Sequence, residues 1–268
     1  TAIMPDLWRA PIDNDYGNNI VEWAKQWKPE NHKFVLSVFE TKFDSCLLKT
    51  EHKIESVIDQ SLLGVWQTCY NVSQTGELIV QADFSPVSGT PSLPRVGWHT
   101  QLDKSFSNSK WFGRGPIENY RDRKNAALLG LYQQTVEDHY VPYAYPQENG
   151  YKTDVRTMSL FNENGLEIEF KGLQPFGFNL RLHATSDLEP QWQLSKYAED
   201  GSETEPYLRR VNQHLINIPE RDFIDVNFDY GQSGVGGDNS WGGRTLQKYT
   251  LNQENYTFGF MLSIKTNK

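Results

Sequence analysis

Cysteine is nearly absent: Cys46 and Cys69 are the only two in 268 residues, with no Cys-x-x-Cys spacing. That argues against a disulfide framework and a thiolate metal site, and both lie in strand-like runs that suit buried reduced thiols. Positive charge is in deficit too. Lys and Arg number 26 against 34 Asp and Glu, a net charge of −8, which repels phosphate backbones and anionic membrane surfaces; neither nucleic acid nor membrane is an expected partner. Long apolar runs are missing, since the hydrophobic stretches fall far short of the roughly 20 residues that cross a bilayer. No charged start followed by an apolar run marks a leader, but the chain begins at Thr1 rather than Met, so the compartment stays open between cytoplasm and periplasm. A soluble protein is expected.

What is present is aromatic and alternating. Phe, Tyr and Trp make up 13% of the residues, a share that disordered chains lack. Leu78, Val80, Ala82 and Phe84 oppose Glu77, Gln81 and Asp83, with Ile79 the exception; Leu166, Ile168 and Phe170 oppose Glu167, Glu169 and Lys171. The same period of two recurs in Phe176–Leu182, in Ile224, Val226, Phe228, and in Tyr256–Ile264. These read as half-buried antiparallel strands from about Phe34 to the end. Helical spacing is confined to Ile20, Val21, Ala24 and Trp27, after Asn19 with Glu22 in a capping-box position, and to a short stretch near Leu188–Lys196. The pattern predicts an all-β sandwich of antiparallel sheets with a few short peripheral helices, over residues 1–268 as a single domain. Tyr197–Arg210, charged and poor in apolar residues, reads as a solvated excursion.

Function is sought in the polar, Gly- and Pro-punctuated segments between strands: Trp8–Gly17, Gly113–Lys124, Pro142–Asp154 and Gly231–Gly243. The last holds six glycines in thirteen positions, yet it has neither a dinucleotide fingerprint nor a Gly-Lys-Ser/Thr ending, so phosphate cradling has no support. It presents Trp241, whose indole face suits the C–H side of a sugar ring, beside Asp238 and Asn239, which can hydrogen-bond hydroxyls. The alternative is that Trp241 packs beneath its own loop. Asp13-Asn14-Asp15-Tyr16-Gly17 resembles the opening of a calcium loop, but Asn18 and Ala24 stand where glycine and a bidentate glutamate are needed; a carboxylate-ordered turn beside Arg9 is the preferred reading. Glu118 and Glu148 are the carboxylates one would nominate for glycoside hydrolysis. Each sits among Arg114, Arg121, Arg123 or Lys152, which lower a carboxyl pKa, so both read as structural. The six histidines form no metal-ligand pair, and no Gly-x-Ser-x-Gly elbow accompanies them.

Five segments taken in order resemble a known family: Trp8–Gly17, Leu93-Pro94-Arg95-Val96-Gly97, Trp111–Lys124, Pro146-Gln147-Glu148-Asn149-Gly150 and Gly234–Trp241. Together they look like the C-terminal domain, or small chain, of family 2 β-galactosidases, with departures at Ile117, Lys152 and Thr157. The resemblance implies a galactose-mutarotase-like β-supersandwich, with opening strands ahead of Trp8 and hence an unpaired sheet edge near Thr1. It also implies that the nucleophile and acid/base glutamates belong to an upstream barrel domain, so this chain would hold no catalytic residue; its residues nominate no cofactor or metal site, and the question of a cation on the domain stays open. Its partners would be the barrel and other domains of a homo-oligomeric parent, and a galactoside. Trp241, with Asn239 and Asp238, would bind substrate. Arg9, Asp13, Asp15, Arg114, Glu118, Asn119, Tyr120, Arg123, Glu148 and Asn149 would serve structure or inter-domain contacts. A self-sufficient aldose epimerase, which needs a positioned His and Glu, and a plain carbohydrate-binding module are the rivals on the same fold.

Overall fold

The computed structural model describes residues 2–41, 47–197, 201–210, 218–239 and 241–266. Cys46 lies outside them, as do one of the six histidines, His214, and Ser240 of the Gly231–Gly243 segment. The chain is all-β, as the alternation predicts. Its strands are β1 (Met4–Asp6), β2 (His32–Glu40), β3 (Leu48–Ser56), β4 (Leu62–Val72), β5 (Leu78–Pro86), β6 (Arg95–Asp103), β7 (Asn108–Gly115), β8 (Leu128–Thr135), β9 (Lys152–Phe161), β10 (Leu166–Arg181), β11 (Trp192–Tyr197), β12 (Glu203–Arg210), β13 (Phe223–Gln232) and β14 (Tyr256–Thr266). All pairings are antiparallel, in the order β1-β6-β13-β10-β14-β5-β4-β3-β2, with β9, β7 and β8 branching from β10.

The branch explains how one ladder becomes two packed layers. Leu166–Lys171 and Phe176–Arg181, which the sequence shows as two alternating stretches, belong to the single long strand β10. Its first half pairs β14 and its second half pairs β13, with register shifts against β9 around Lys171 to Phe178. Irregular register bends a strand and lets it leave one sheet for another. The inner faces then close on an aromatic core, in which Trp66 lies 5.0 Å from Trp98, 5.3 Å from Phe84 and 5.8 Å from Phe258, ring centre to ring centre.

Several expectations need correction. Leu188–Lys196 is not a helix: a 3-10 turn over Thr185–Leu188 ends before Pro190, which has no N–H to donate, and β11 follows. Tyr197–Arg210 is not simply an excursion, because β12 pairs with β11 in a separate two-stranded sheet whose Leu194 and Tyr197 are exposed. Helix α2 (Ile20–Trp23) forms and buries Ile20, but Asn19 enters it at φ +63° with no side-chain cap, so the capping box is not made. Cys69 is half-buried and disulfide-bonded rather than a buried thiol. Among the described residues no helix is long and apolar enough to cross a membrane.

Candidate functional site

Trp241 is 78% exposed, whereas Trp8, Trp27, Trp66, Trp98 and Trp111 are at most 2% exposed. It does not pack beneath its own loop. The turn that carries it is nevertheless tied at every level. Asp122 Oδ2 accepts hydrogen bonds from Gly236 N (2.6 Å) and Thr245 Oγ1 (3.2 Å), joining the two limbs. Higher up, Asn239 Oδ1 accepts from Trp241 N (3.0 Å) and Gly243 N (2.9 Å), so its carbonyl shapes the turn. Asp238 is exposed in the same turn.

The turn leans on helix α1 (Asp13–Gly17). Gly17 must be glycine here, since a Cβ would lie within 2.6 Å of Gly242 N and Trp241 O. Arg9 and Asp15, both buried, anchor α1: Arg9 Nη1 and Nη2 reach Asp15 at 2.6 and 3.2 Å, and Asp15 also accepts from Ile12 N at 2.9 Å. This is the carboxylate-ordered turn expected from Asp13-Asn14-Asp15. Asp13 itself is exposed, with its N–H donating to Gln147. Behind the turn lies a cavity of about 380 Å³, lined among others by Asn14, Trp23, Ser233 and Arg244.

The remaining nominated residues knit neighbouring loops together. Glu118 takes hydrogen bonds from Arg123, from the Tyr143 hydroxyl and from Gly150 N. Arg114 Nε donates to Asp154 at 2.6 Å, and Asn119 Oδ1 accepts from Thr153 N and Oγ1. Tyr120 stacks on Tyr151 with Arg123 over its ring, and Asn149 accepts from Val141 N. Glu148 is fully buried, accepting from Asn179 Nδ2 (2.7 Å), Gln232 Nε2 (3.2 Å) and Arg181 Nη1 (3.0 Å), with Arg95 at 3.6 Å. Burial raises the Glu148 carboxyl pKa, but Arg181 and Arg95 hold it below the ordinary value. A carboxylate so held is a poor general acid, in line with the structural reading.

The sequence reading did not find the rest of this network. Asp225, Asn227 and Asp229 of β13, with Asn179 and Arg181 of β10 and Arg95 of β6, are all at most 1% exposed. Arg181 joins Glu148 to Asp225 (3.2 Å) and Asn227 (3.1 Å), and His99 contacts Asp225 at 2.5 Å. Burial lowers the Asp225 carboxylate's tolerance for charge, yet His99 and Arg181 outweigh it and keep its pKa low. Asp229 is pushed up to about 7 by burial, against the opposing pull of Arg95 at 3.1 Å. Among the described residues no group of three or more His, Cys, Asp or Glu is placed to hold a metal ion.

His139 shows the same burial without a countercharge. Its ring lies against Trp111 and Phe178, its Nε2 meets Ser109 Oγ at 2.7 Å, and burial with nearby Lys152 drives its pKa well below 6.5. The folded chain therefore keeps His139 neutral where the unfolded chain takes up a proton. Its contribution is present above pH 6.5 and lost as the pH falls. The stability difference between the native protein and His139→Gln should shrink by up to about 1.4 kcal/mol per pH unit below that value, read by denaturant unfolding. A pH-independent difference would refute a neutral buried imidazole.

Comparison with known proteins places this geometry. The family model described as "Beta galactosidase small chain" matches residues 1–262. The chain is similar to the "Beta-galactosidase" of Priestia megaterium, 32% identical over 98% of this chain and 23% of the relative. It is also similar to those of Leuconostoc mesenteroides (28%, covering 98% of this chain and 24% of the relative) and Pseudoalteromonas haloplanktis (26%, 98% and 24%). The chain spans about a quarter of the length of these relatives. With a family match that runs through nearly every strand and through the Trp241 turn, the chain belongs to the β-galactosidase small chain family.

Proposed function

We propose that this chain forms one wall of the substrate cleft in a retaining β-galactosidase, with Trp241 as a stacking platform for the galactoside. The observation that carries this reading is a large indole held in water by a turn that is hydrogen-bonded at its base and tip. An indole displayed this way offers a flat apolar face with a polar N–H, which suits the C–H face of a sugar. The family membership and the names of the relatives support a β-galactoside as the substrate class, which this reading takes to be one with terminal, non-reducing galactose.

Bond cleavage in this reading belongs to glutamates elsewhere in the parent polypeptide. A retaining mechanism needs two carboxyl groups roughly 5 to 5.5 Å apart on either side of the glycosidic bond. Glu118 and Glu148 are engaged by arginine and buried amides instead. The purified chain should accordingly leave lactose intact, and turnover by it would overturn the reading. In the complete enzyme Trp241→Ala should lower kcat/KM about 5- to 150-fold, the equivalent of about 1 to 3 kcal/mol for a covered large side chain. Unchanged KM and kcat across several galactosides would remove Trp241 from the site.

A further inference from the structure

We infer that Asn14 is a positioning residue for Trp241. This rests on the platform reading above. Asn14 is only 8% exposed, and both ends of its amide engage the backbone just after the tryptophan: Oδ1 accepts from Gly242 N at 2.9 Å, and Nδ2 donates to Gly243 O at 2.6 Å. A two-point amide clamp of this kind fixes both the distance and the rotation of the strand of backbone that it holds. Gly242, at φ +126°, has its own Cβ position blocked by Gly17 O at 2.6 Å, so clamp and contact surface meet at one point.

The clamp is itself braced from the core. Asn14 lies between Asp13 and Asp15, and the buried Arg9–Asp15 pair ties that turn of helix to the body of the domain. On the other side the cavity of about 380 Å³ leaves the turn without close packing over part of its back. Its orientation is set by directed hydrogen bonds from other segments: Asp122 holds the base at Gly236 and Thr245, and Asn14 supplies the two that reach the backbone beside Trp241. An aromatic platform that wanders loses contact with a sugar ring held by a separate set of groups, because oriented contact is lost within about 1 Å. Asn14 acts through Trp241 and touches no substrate.

The test is a double-mutant cycle in the complete parent enzyme, with Asn14→Ala, Trp241→Ala and both together, reading kcat and KM for a galactoside. Asn14→Ala alone should lower kcat/KM about tenfold, and should cost little or nothing further when Trp241 is already alanine. Asn14→Asp keeps the acceptor for Gly242 N but sets a carboxylate oxygen against Gly243 O, so it should fall with Asn14→Ala; it carries the test if the alanine variant does not fold. Additive losses, or an Asn14 variant with native kinetics beside a damaging Trp241→Ala, would overturn the positioning role while leaving the platform intact. A silent Trp241→Ala would remove both.

Discussion

Glu148→Ala should destabilise the chain by about 3 to 5 kcal/mol, which is the usual cost of breaking a buried ion pair by deleting one partner. The loss comes less from the missing attraction than from what stays behind. Arg181 and Arg95 are both fully buried, and without Glu148 the Nη1 of Arg181 loses its acceptor at 3.0 Å while Arg95 keeps only Asp6, Asp229 and the Trp8 carbonyl. The amides of Asn179 and Gln232 lose an acceptor as well. Glu148→Gln preserves the shape but removes the charge, and should recover only part. Denaturant midpoints at constant m value would measure this, and a loss under about 1 kcal/mol would show that the network is not what seats the Pro142–Asp154 loop.

Trp66→Ala should cost a similar amount, about 3 to 5 kcal/mol, for an unrelated reason. Trp66 has no exposed surface and stands at the meeting of four strands: Phe84 comes from β5, Trp98 from β6 and Phe258 from β14. Its removal leaves a cavity that surrounding strands, locked in register by β3 and β5 on either side, cannot close. The Nε1–H donor to Thr68 Oγ1 is lost too. Thermal unfolding should shift strongly, and Trp66→Phe, which refills most of the volume, should restore a large part of it. An alanine variant as stable as the native chain would contradict the close packing of the two layers.

These two expectations draw on signals of different visibility. Trp66 falls in the stretch from about Phe34 onward that reads as strands, but its burial follows from the rings it meets on β5, β6 and β14. Glu148 drew attention by its arginine-rich neighbourhood, but its real partners, Arg181 and Arg95, are remote in sequence and sit inside strands. The Asp225, Asn227, Asp229 face of β13 shows why. Alternation with Ile224, Val226 and Phe228 reads as one face in and one face out, whereas the polar face is buried too, paired with Arg95 and His99 of β6 and Arg181 of β10. Period two reports that the faces differ; it cannot report what covers each of them. The helix expected at Leu188–Lys196 failed for a related reason, since a short apolar spacing is common to a turn of helix and a strand until a partner strand settles the matter.

The Trp241 turn divides in the same way. Its glycines, its indole and its small polar neighbours are all local, and composition with the resemblance was enough to single them out. That the ring stands in water, and that Asn14 grips the backbone behind it from more than two hundred residues away, is a product of folding. Local chemistry and hydrophobic period are written residue by residue, so the sequence by itself determined the all-β class, the strands with clean alternation and the polar segments between them. Burial of polar side chains and contact between distant loops depend on which layers meet, and only the tertiary structure decided those.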